Sequence, residues 1–101
     1  EREAGMDIGL LREAYPELCL IGNVNNKTTL VLGKPEDVMA EAAECVLAAG
    51  LQGRYILASD HSIHHDVPTE NVLAMIAFTE RYGWYPLDVK LLKTVARRGK
   101  V

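Results

Sequence analysis

The chain has 101 residues, of which 49% are hydrophobic, and its formal net charge is −3. Its length suits one small domain, and no apolar run is long enough to cross a membrane. The charged first residues do not resemble a signal peptide, so we expect a cytoplasmic protein with no membrane partner. Cys19 and Cys45 lie in apolar runs, too far apart for a Cys-x-x-Cys motif, which predicts two buried thiols in a reducing compartment.

A predicted helix from Glu1 to Tyr15 ends at Pro16, and a short apolar run, Glu17 to Gly22, predicts a buried strand. Asn23 to Gly33 is a polar loop, in which residues 28–32 could add a short extended piece. The next helix begins at Pro35, which fits the first helical position, and ends at Gly50. Its apolar stripe consists of Val38, Ala42, Cys45, Val46 and Ala49.

The second half of the chain repeats this order of strand, polar loop and helix. Arg54 to Ser59 predicts a second strand, and a third long helix runs from Thr69, the candidate N-cap, to Tyr82, with Gly83 ending it. The spacing predicts that its inward side chains are Val72, Leu73, Ile76 and Ala77. A last amphipathic helix, Leu87 to Arg97, would pack through Leu91, Leu92 and Val95.

The C-terminal end of the chain is basic. Positions 90–101 carry five bases and no acid, namely Lys90, Lys93, Arg97, Arg98 and Lys100. Such a segment could contact nucleic acid or an anionic surface. Because no aromatic residue is interleaved with the bases, stacking on nucleotides has no support. We therefore expect no nucleic-acid partner. The chain is expected to form a single domain over residues 1–101 that ends in a basic tail, residues 86–101.

The alternation of helices and strands predicts an α/β fold with parallel strands joined by right-handed crossovers. Two strands cannot form a stable sheet alone, so the chain is expected to be a fragment or to complete its core by association. Both polar loops would emerge at the same edge of the sheet. Asn23, Asn25, Asp60 and His61 should therefore be neighbours.

Three histidines in the second loop, His61, His64 and His65, could hold a metal ion, although metal sites usually draw ligands from two elements. His61 lies closest to the strand end and could donate to an anion or act as a general acid or base. Alternatively it only ties the loop to the backbone. Asn71, in the first turn of a helix, could face an anion, or serve as a cap or solvent-exposed residue.

Several segments together resemble a known family. They are Gly22-Asn-Val-Asn-Asn26, Gly33-Lys-Pro-Glu-Asp-Val38, Tyr55-Ile-Leu-Ala-Ser-Asp-His61, Asp66-Val-Pro-Thr-Glu-Asn-Val72 and Tyr82-Gly83. In this order and spacing, from about Ala4 to Pro86, they resemble the C-terminal part of the uroporphyrinogen decarboxylase family, which also includes corrinoid-dependent methyltransferases. The resemblance implies the last two strands, with their helices, of a (β/α)₈ barrel.

The resemblance implies that His61 is the histidine after the final strand, which contacts the tetrapyrrole substrate, and a candidate catalytic residue. Gly22 and Asn23 match a Gly-Asn pair lining the same cleft. Asn25, where the family commonly has aspartate, and Asp60 complete the expected substrate-binding set. The family's acidic catalytic residue and basic substrate-binding residues lie nearer the N-terminus of the barrel and are absent from this sequence.

The function implied is decarboxylation of uroporphyrinogen, an anionic tetrapyrrole, without a cofactor. One alternative is a methyltransferase-like enzyme that uses zinc and a corrinoid partner. In that branch the loop after the last strand supplies a cysteine to zinc, but Asp60-His61-Ser62 contains none. The other alternative is a non-catalytic remnant that self-associates through its strand edges.

Overall fold

The computed structural model describes residues 4–98. Glu1, where the first helix was expected to begin, and Lys100 of the basic tail lie outside this range. The elements in chain order are α1 (Ile8–Ala14), β1 (Leu20–Ile21), α2 (Thr29–Leu32), α3 (Pro35–Ala49), β2 (Tyr55–Ile56), α4 (Thr69–Tyr82) and α5 (Val89–Arg98). The fold is therefore mixed α/β, as predicted, and α3 and α4 have the expected bounds.

The two strands are adjacent and parallel, which confirms the predicted pairing. Leu20 lies opposite Tyr55 and Ile21 opposite Ile56, and the Leu20 N–H donates to the Arg54 carbonyl at 2.9 Å. Each strand has two residues, fewer than predicted, with one further parallel bridge between Val24 and Ser59. This short ladder aligns the two polar loops at one edge.

Helix α3 packs across one face of the strand pair. All five side chains of its predicted stripe are buried, and Ala49 packs with Leu20. The helix begins at Pro35 and ends at Gly50, where an added Cβ would lie 2.9 Å from the Tyr55 ring. Glycine at this end thus allows α3 to approach β2 closely.

Within residues 4–98, the opposite face of the strand pair is largely exposed. Ile21 is 65% exposed and its neighbour Ile56 is 53% exposed. Adjacent β-branched side chains of this kind are typical of the interior of a sheet protein, where another layer or a barrel core covers them. The residues described here provide a two-layer unit with one open apolar face.

A guanidinium group fastens the other end of the strand pair, opposite the polar loops. Arg12 of α1 donates five hydrogen bonds to backbone carbonyls. Its Nε donates to Ala49 at 3.0 Å and its Nη2 to Arg54 at 2.7 Å. Its Nη1 donates to Tyr15 at 3.4 Å, to Pro16 at 3.1 Å and to Leu18 at 2.6 Å. We call this set of bonds the Arg12 clamp. It connects α1, the end of α3 and the starts of both strands.

Helix α2 replaces the loop or extended segment predicted for residues 28–32. The Asn25 side-chain oxygen accepts the N–H groups of Lys27 and Thr28 at 2.9 and 3.1 Å. This Asx-type turn starts a helical segment whose Leu30 is fully buried. The prediction was wrong because composition alone does not reveal the turn.

Two predictions about α4 were wrong. Pro68, rather than Thr69, is its N-cap, and the Pro68 side chain makes no capping hydrogen bond. Its buried residues are Asn71, Ala74 and Phe78. Of the predicted inward residues, Val72 packs partly buried against the core, whereas Leu73 is 57% exposed, Ile76 is 49% exposed and Ala77 is also exposed. The helix is apolar on more than one side, so spacing alone did not determine its inward face.

The remaining predictions of burial had mixed outcomes. Cys45 is buried as expected, but Cys19 is exposed because it precedes the short strand instead of lying within it. In α5 the predicted Leu92 and Val95 are buried, whereas Leu91 is 42% exposed. Among residues 4–98, no helix is long and apolar enough to span a bilayer.

Candidate functional site

The two polar loops meet at the C-terminal edge of the strands, as predicted. The Val24 N–H donates to the Ala58 carbonyl at 3.1 Å, and the Asp60 N–H donates to the Val24 carbonyl at 2.9 Å. Farther along, the Asn26 N–H donates to Oδ1 of Asp60 at 2.9 Å. The first loop is thereby joined to the second over several residues.

Asn23 and Asp60 line the same cavity at this edge. It has a volume of about 200 Å³, and its other walls are apolar side chains of α1 and β1, together with Met6. The Asn23 side chain is buried and its Nδ2 donates to the Met6 carbonyl at 2.9 Å. The donor of Asn23 is thus used within the chain, at the wall of the cavity.

Gly22 has a φ of +128°, a backbone conformation that only glycine adopts readily. Its carbonyl accepts a hydrogen bond from the Tyr55 hydroxyl, which ties the end of β1 to β2. Burial is the main cause that raises the pKa of the Tyr55 phenol, and the neighbouring Cys45 thiol is the second. The phenol therefore keeps its proton and remains a hydrogen-bond donor. The contact between this glycine carbonyl and the phenol was not predicted from the sequence.

We expect Gly22→Ala to lower the free energy of unfolding by about 1–3 kcal/mol, the usual cost of a residue held in a disfavoured conformation. Among the described residues, the added Cβ would meet only the Ser59 carbonyl oxygen, at 3.8 Å, so the strain comes from φ and not from crowding. Chemical denaturation measures the effect. Gly53→Ala is the control, because Gly53 also has a positive φ (+82°), and no atom of the part of the chain that the structure describes lies within 4 Å of its Cβ position.

Both Gly22→Ala and Gly53→Ala should reduce stability, but only the former should shift the NMR signals of the Asn23 side-chain amide. Equal stability of Gly22→Ala and the unsubstituted chain would contradict the argument from φ.

Asn25 serves its own loop. Besides the Asx-type turn, its N–H donates to Oε2 of Glu41, a residue of α3, and Oε1 of the same carboxylate accepts from the Thr29 hydroxyl at 2.8 Å. An aspartate at position 25 would place a second carboxylate close to Glu41. Asparagine therefore suits this site electrostatically, and Glu41 is a supporting residue that sequence analysis did not identify.

His61 has an exposed side chain on a restrained backbone. The His61 carbonyl accepts a hydrogen bond from the Ser59 hydroxyl. The residues before and after it, Asp60 and Ser62, both accept hydrogen bonds from Asn26. Loop residues with exposed side chains are usually mobile. Here hydrogen bonds restrain the backbone of His61, while its side chain is exposed. This arrangement suits a residue that contacts a ligand.

His64 and His65 associate with Asp66 instead. The Asp66 N–H donates to Nδ1 of His64 at 3.3 Å, and Nε2 of His65 lies 3.3 Å from Oδ1 of Asp66. Within residues 4–98, no three His, Cys, Asp or Glu side chains are grouped so as to hold a metal ion. The three imidazoles considered as metal ligands are therefore not grouped together within the described residues.

Asn71 takes neither role considered for it. It is fully buried, and its Nδ2 donates to the carbonyls of Leu30 and Gly33 at 2.8 and 2.9 Å. These two carbonyls belong to the end of α2. It fastens α4 to the end of α2.

The family described as Uroporphyrinogen decarboxylase (URO-D) matches residues 3–82. The chain belongs to the uroporphyrinogen decarboxylase family. It is 36% identical over 73 residues to the uroporphyrinogen decarboxylase of Anaeromyxobacter dehalogenans (strain 2CP-C), and 32% identical over 73 residues to that of Anaeromyxobacter sp. (strain Fw109-5).

Each alignment covers 72% of this chain but 20% of the relative. The chain thus corresponds to about one fifth of the length of these enzymes. No solved structure matched it significantly.

Proposed function

We propose that this chain forms the last two β/α units of a (β/α)₈ barrel that decarboxylates uroporphyrinogen, with residues 1–101 as one structural unit ending in the basic tail. The match over residues 3–82 carries this proposal. The parallel strand pair and the open face bearing Ile21 and Ile56 support it, since a barrel covers that face with its other strands. Without such strands, the same face would favour self-association of the chain.

In the proposed barrel, the edge that carries Asn23, Asp60 and His61 is one wall of the substrate cleft, because barrel enzymes place their sites at the C-terminal ends of the strands. A neutral imidazole at position 61 can donate a hydrogen bond to a substrate carboxylate, and a protonated one adds charge attraction. Gly22 and Asn25 would shape the wall through the backbone.

Decarboxylation of acetate side chains requires that the cleft hold an anionic macrocycle and stabilise charge as carbon dioxide leaves. Fixed donors and charges in a preorganised site supply this stabilisation, so the proposed reaction requires no cofactor. The zinc- and corrinoid-dependent alternative fits less well. The loop at Asp60-His61-Ser62 offers no thiolate, and the described histidines do not converge.

The test transplants residues 3–82 of this chain into the Anaeromyxobacter dehalogenans enzyme in place of the matching segment. We expect the folded chimera to convert uroporphyrinogen, and His61→Gln to reduce kcat/KM. A lost hydrogen bond to a charged group is worth about 1.5–3 kcal/mol, or roughly 10- to 150-fold. A fall in kcat alone would indicate proton transfer, and a rise in KM would indicate substrate positioning.

His64→Gln is the matched control, since it alters an exposed histidine of the same loop that is associated with Asp66. It should leave both constants nearly unchanged. If His61→Gln and His61→Ala both leave the kinetics of a folded chimera unchanged, then His61 only anchors its loop.

A further inference from the structure

Asn26 is a buried residue at the junction of the two loops. It is 4% exposed, and it reaches both neighbours of His61. Its N–H donates to Oδ1 of Asp60 at 2.9 Å, and its Nδ2 donates to the Ser62 carbonyl at 2.9 Å. One residue of the first loop thus holds the second loop on both sides of the exposed imidazole.

The two bonds of Asn26 depend on different parts of the residue. Any amino acid except proline could supply the backbone N–H to Asp60, but only the side chain supplies the donor to Ser62. The side-chain oxygen, Oδ1, is buried and has no hydrogen-bond partner among the described residues. An unsatisfied buried acceptor is unfavourable. The contribution of asparagine here therefore lies in its donor to Ser62.

We propose that Asn26 is a positioning residue for His61: its side-chain donor fixes Ser62 and so holds the backbone of His61 at the edge where the two loops meet. The consequence for a substrate rests on the proposed function, but the positioning itself does not. Asn26 would act through the backbone of the second loop and would not contact the substrate.

Asn71 provides a closely matched control. It too is a buried asparagine whose Nδ2 donates to backbone carbonyls while its Oδ1 has no partner among residues 4–98. Its acceptors, Leu30 and Gly33, belong to the end of α2. Asn71→Ala therefore removes the same kind of side chain without touching the loop that carries His61.

The experiment measures backbone ¹⁵N relaxation in the 101-residue chain and in the Asn26→Ala and Asn71→Ala variants. We expect order parameters of about 0.85 at Asp60, His61 and Ser62 in the unsubstituted chain, and values below about 0.6 in Asn26→Ala. Asn71→Ala should leave the three values unchanged. In Asn26→Ala, the His61 ring signals should also move towards those of an unstructured histidine. Unchanged order at His61 in folded Asn26→Ala overturns the proposal.

A second measurement applies if Asn26→Ala does not fold. In the unsubstituted chain, the side-chain amide of Asn26 should exchange with solvent at least roughly tenfold more slowly than that of the exposed Gln52. Equal exchange rates would show that the bond to Ser62 is not maintained, and would overturn the proposal. An inactive chimera with the expected change in order would instead count against the proposed function alone.

Discussion

Phe78→Ala is expected to lower the free energy of unfolding by about 3–5 kcal/mol, the usual cost of removing a large aromatic side chain from a core. Phe78 is 1% exposed, and its ring packs against that of Tyr82 with a centroid separation of 5.2 Å. It belongs to the main apolar cluster, which joins α3, α4 and α5. Urea denaturation, analysed by linear extrapolation, measures the loss.

Leu73→Ala is the matched control on the same helix, because it removes an aliphatic side chain that is 57% exposed. Surface substitutions of this kind usually change stability by no more than about 0.5 kcal/mol. The sequence pattern placed Leu73 inside, so the pair of variants distinguishes two orientations of α4. A larger loss for Leu73→Ala than for Phe78→Ala would mean that α4 is rotated relative to the orientation described here.

Arg12→Met is expected to cost about 3 kcal/mol of unfolding free energy. Hydrogen bonds that involve a charged donor are each worth about 1.5–3 kcal/mol, but they do not add fully when they share one side chain. The substitution keeps much of the aliphatic stem and removes the three donor nitrogens that make the five hydrogen bonds of the Arg12 clamp. The carbonyls of Ala49 and Arg54 would then lose their link to α1. Thermal and urea denaturation measure the effect.

Arg54→Met is the control for the Arg12 clamp. The Arg54 side chain is 50% exposed and lies 3.7 Å from the carboxylate of Glu17, which is 89% exposed. Exposed ion pairs contribute about 0–1 kcal/mol, so this variant should be nearly as stable as the unsubstituted chain. Equal losses for the two arginine variants would refute a special role for Arg12.

The bounds of α3 and α4 could be predicted because the residues that end a helix act locally. Pro35 fixes its own φ, and Gly50 and Gly83 stop the helices that precede them. The inward face of α4 depends on which neighbours cover it, and that information is not local. The same applies to Cys19, whose apolar surroundings in sequence predicted a burial that the short strand does not provide.

In the candidate site too, one feature could be predicted from the sequence and others could not. The order of strand, loop and helix sufficed to predict that the two polar loops meet, because parallel strands carry their C-terminal ends to one edge. Glu41 accepts a hydrogen bond from a residue 16 positions away, and Asn26 donates to residues 34 and 36 positions away. No local sequence pattern indicates such long-range hydrogen bonds. The catalytic and substrate-binding assignments for His61 and its neighbours stay predictions.

The Arg12 clamp also has a consequence for ionic strength. Dissolved salt screens the attraction between exposed opposite charges over a Debye length of about 8 Å at physiological concentration. All five acceptors of Arg12 are uncharged carbonyls, so this attraction is short-ranged and directional and leaves little for dissolved ions to screen. We therefore expect the hydrogen bonds of the Arg12 clamp, at the end of the strand pair opposite the polar loops, to be equally stable in dilute buffer and in concentrated salt.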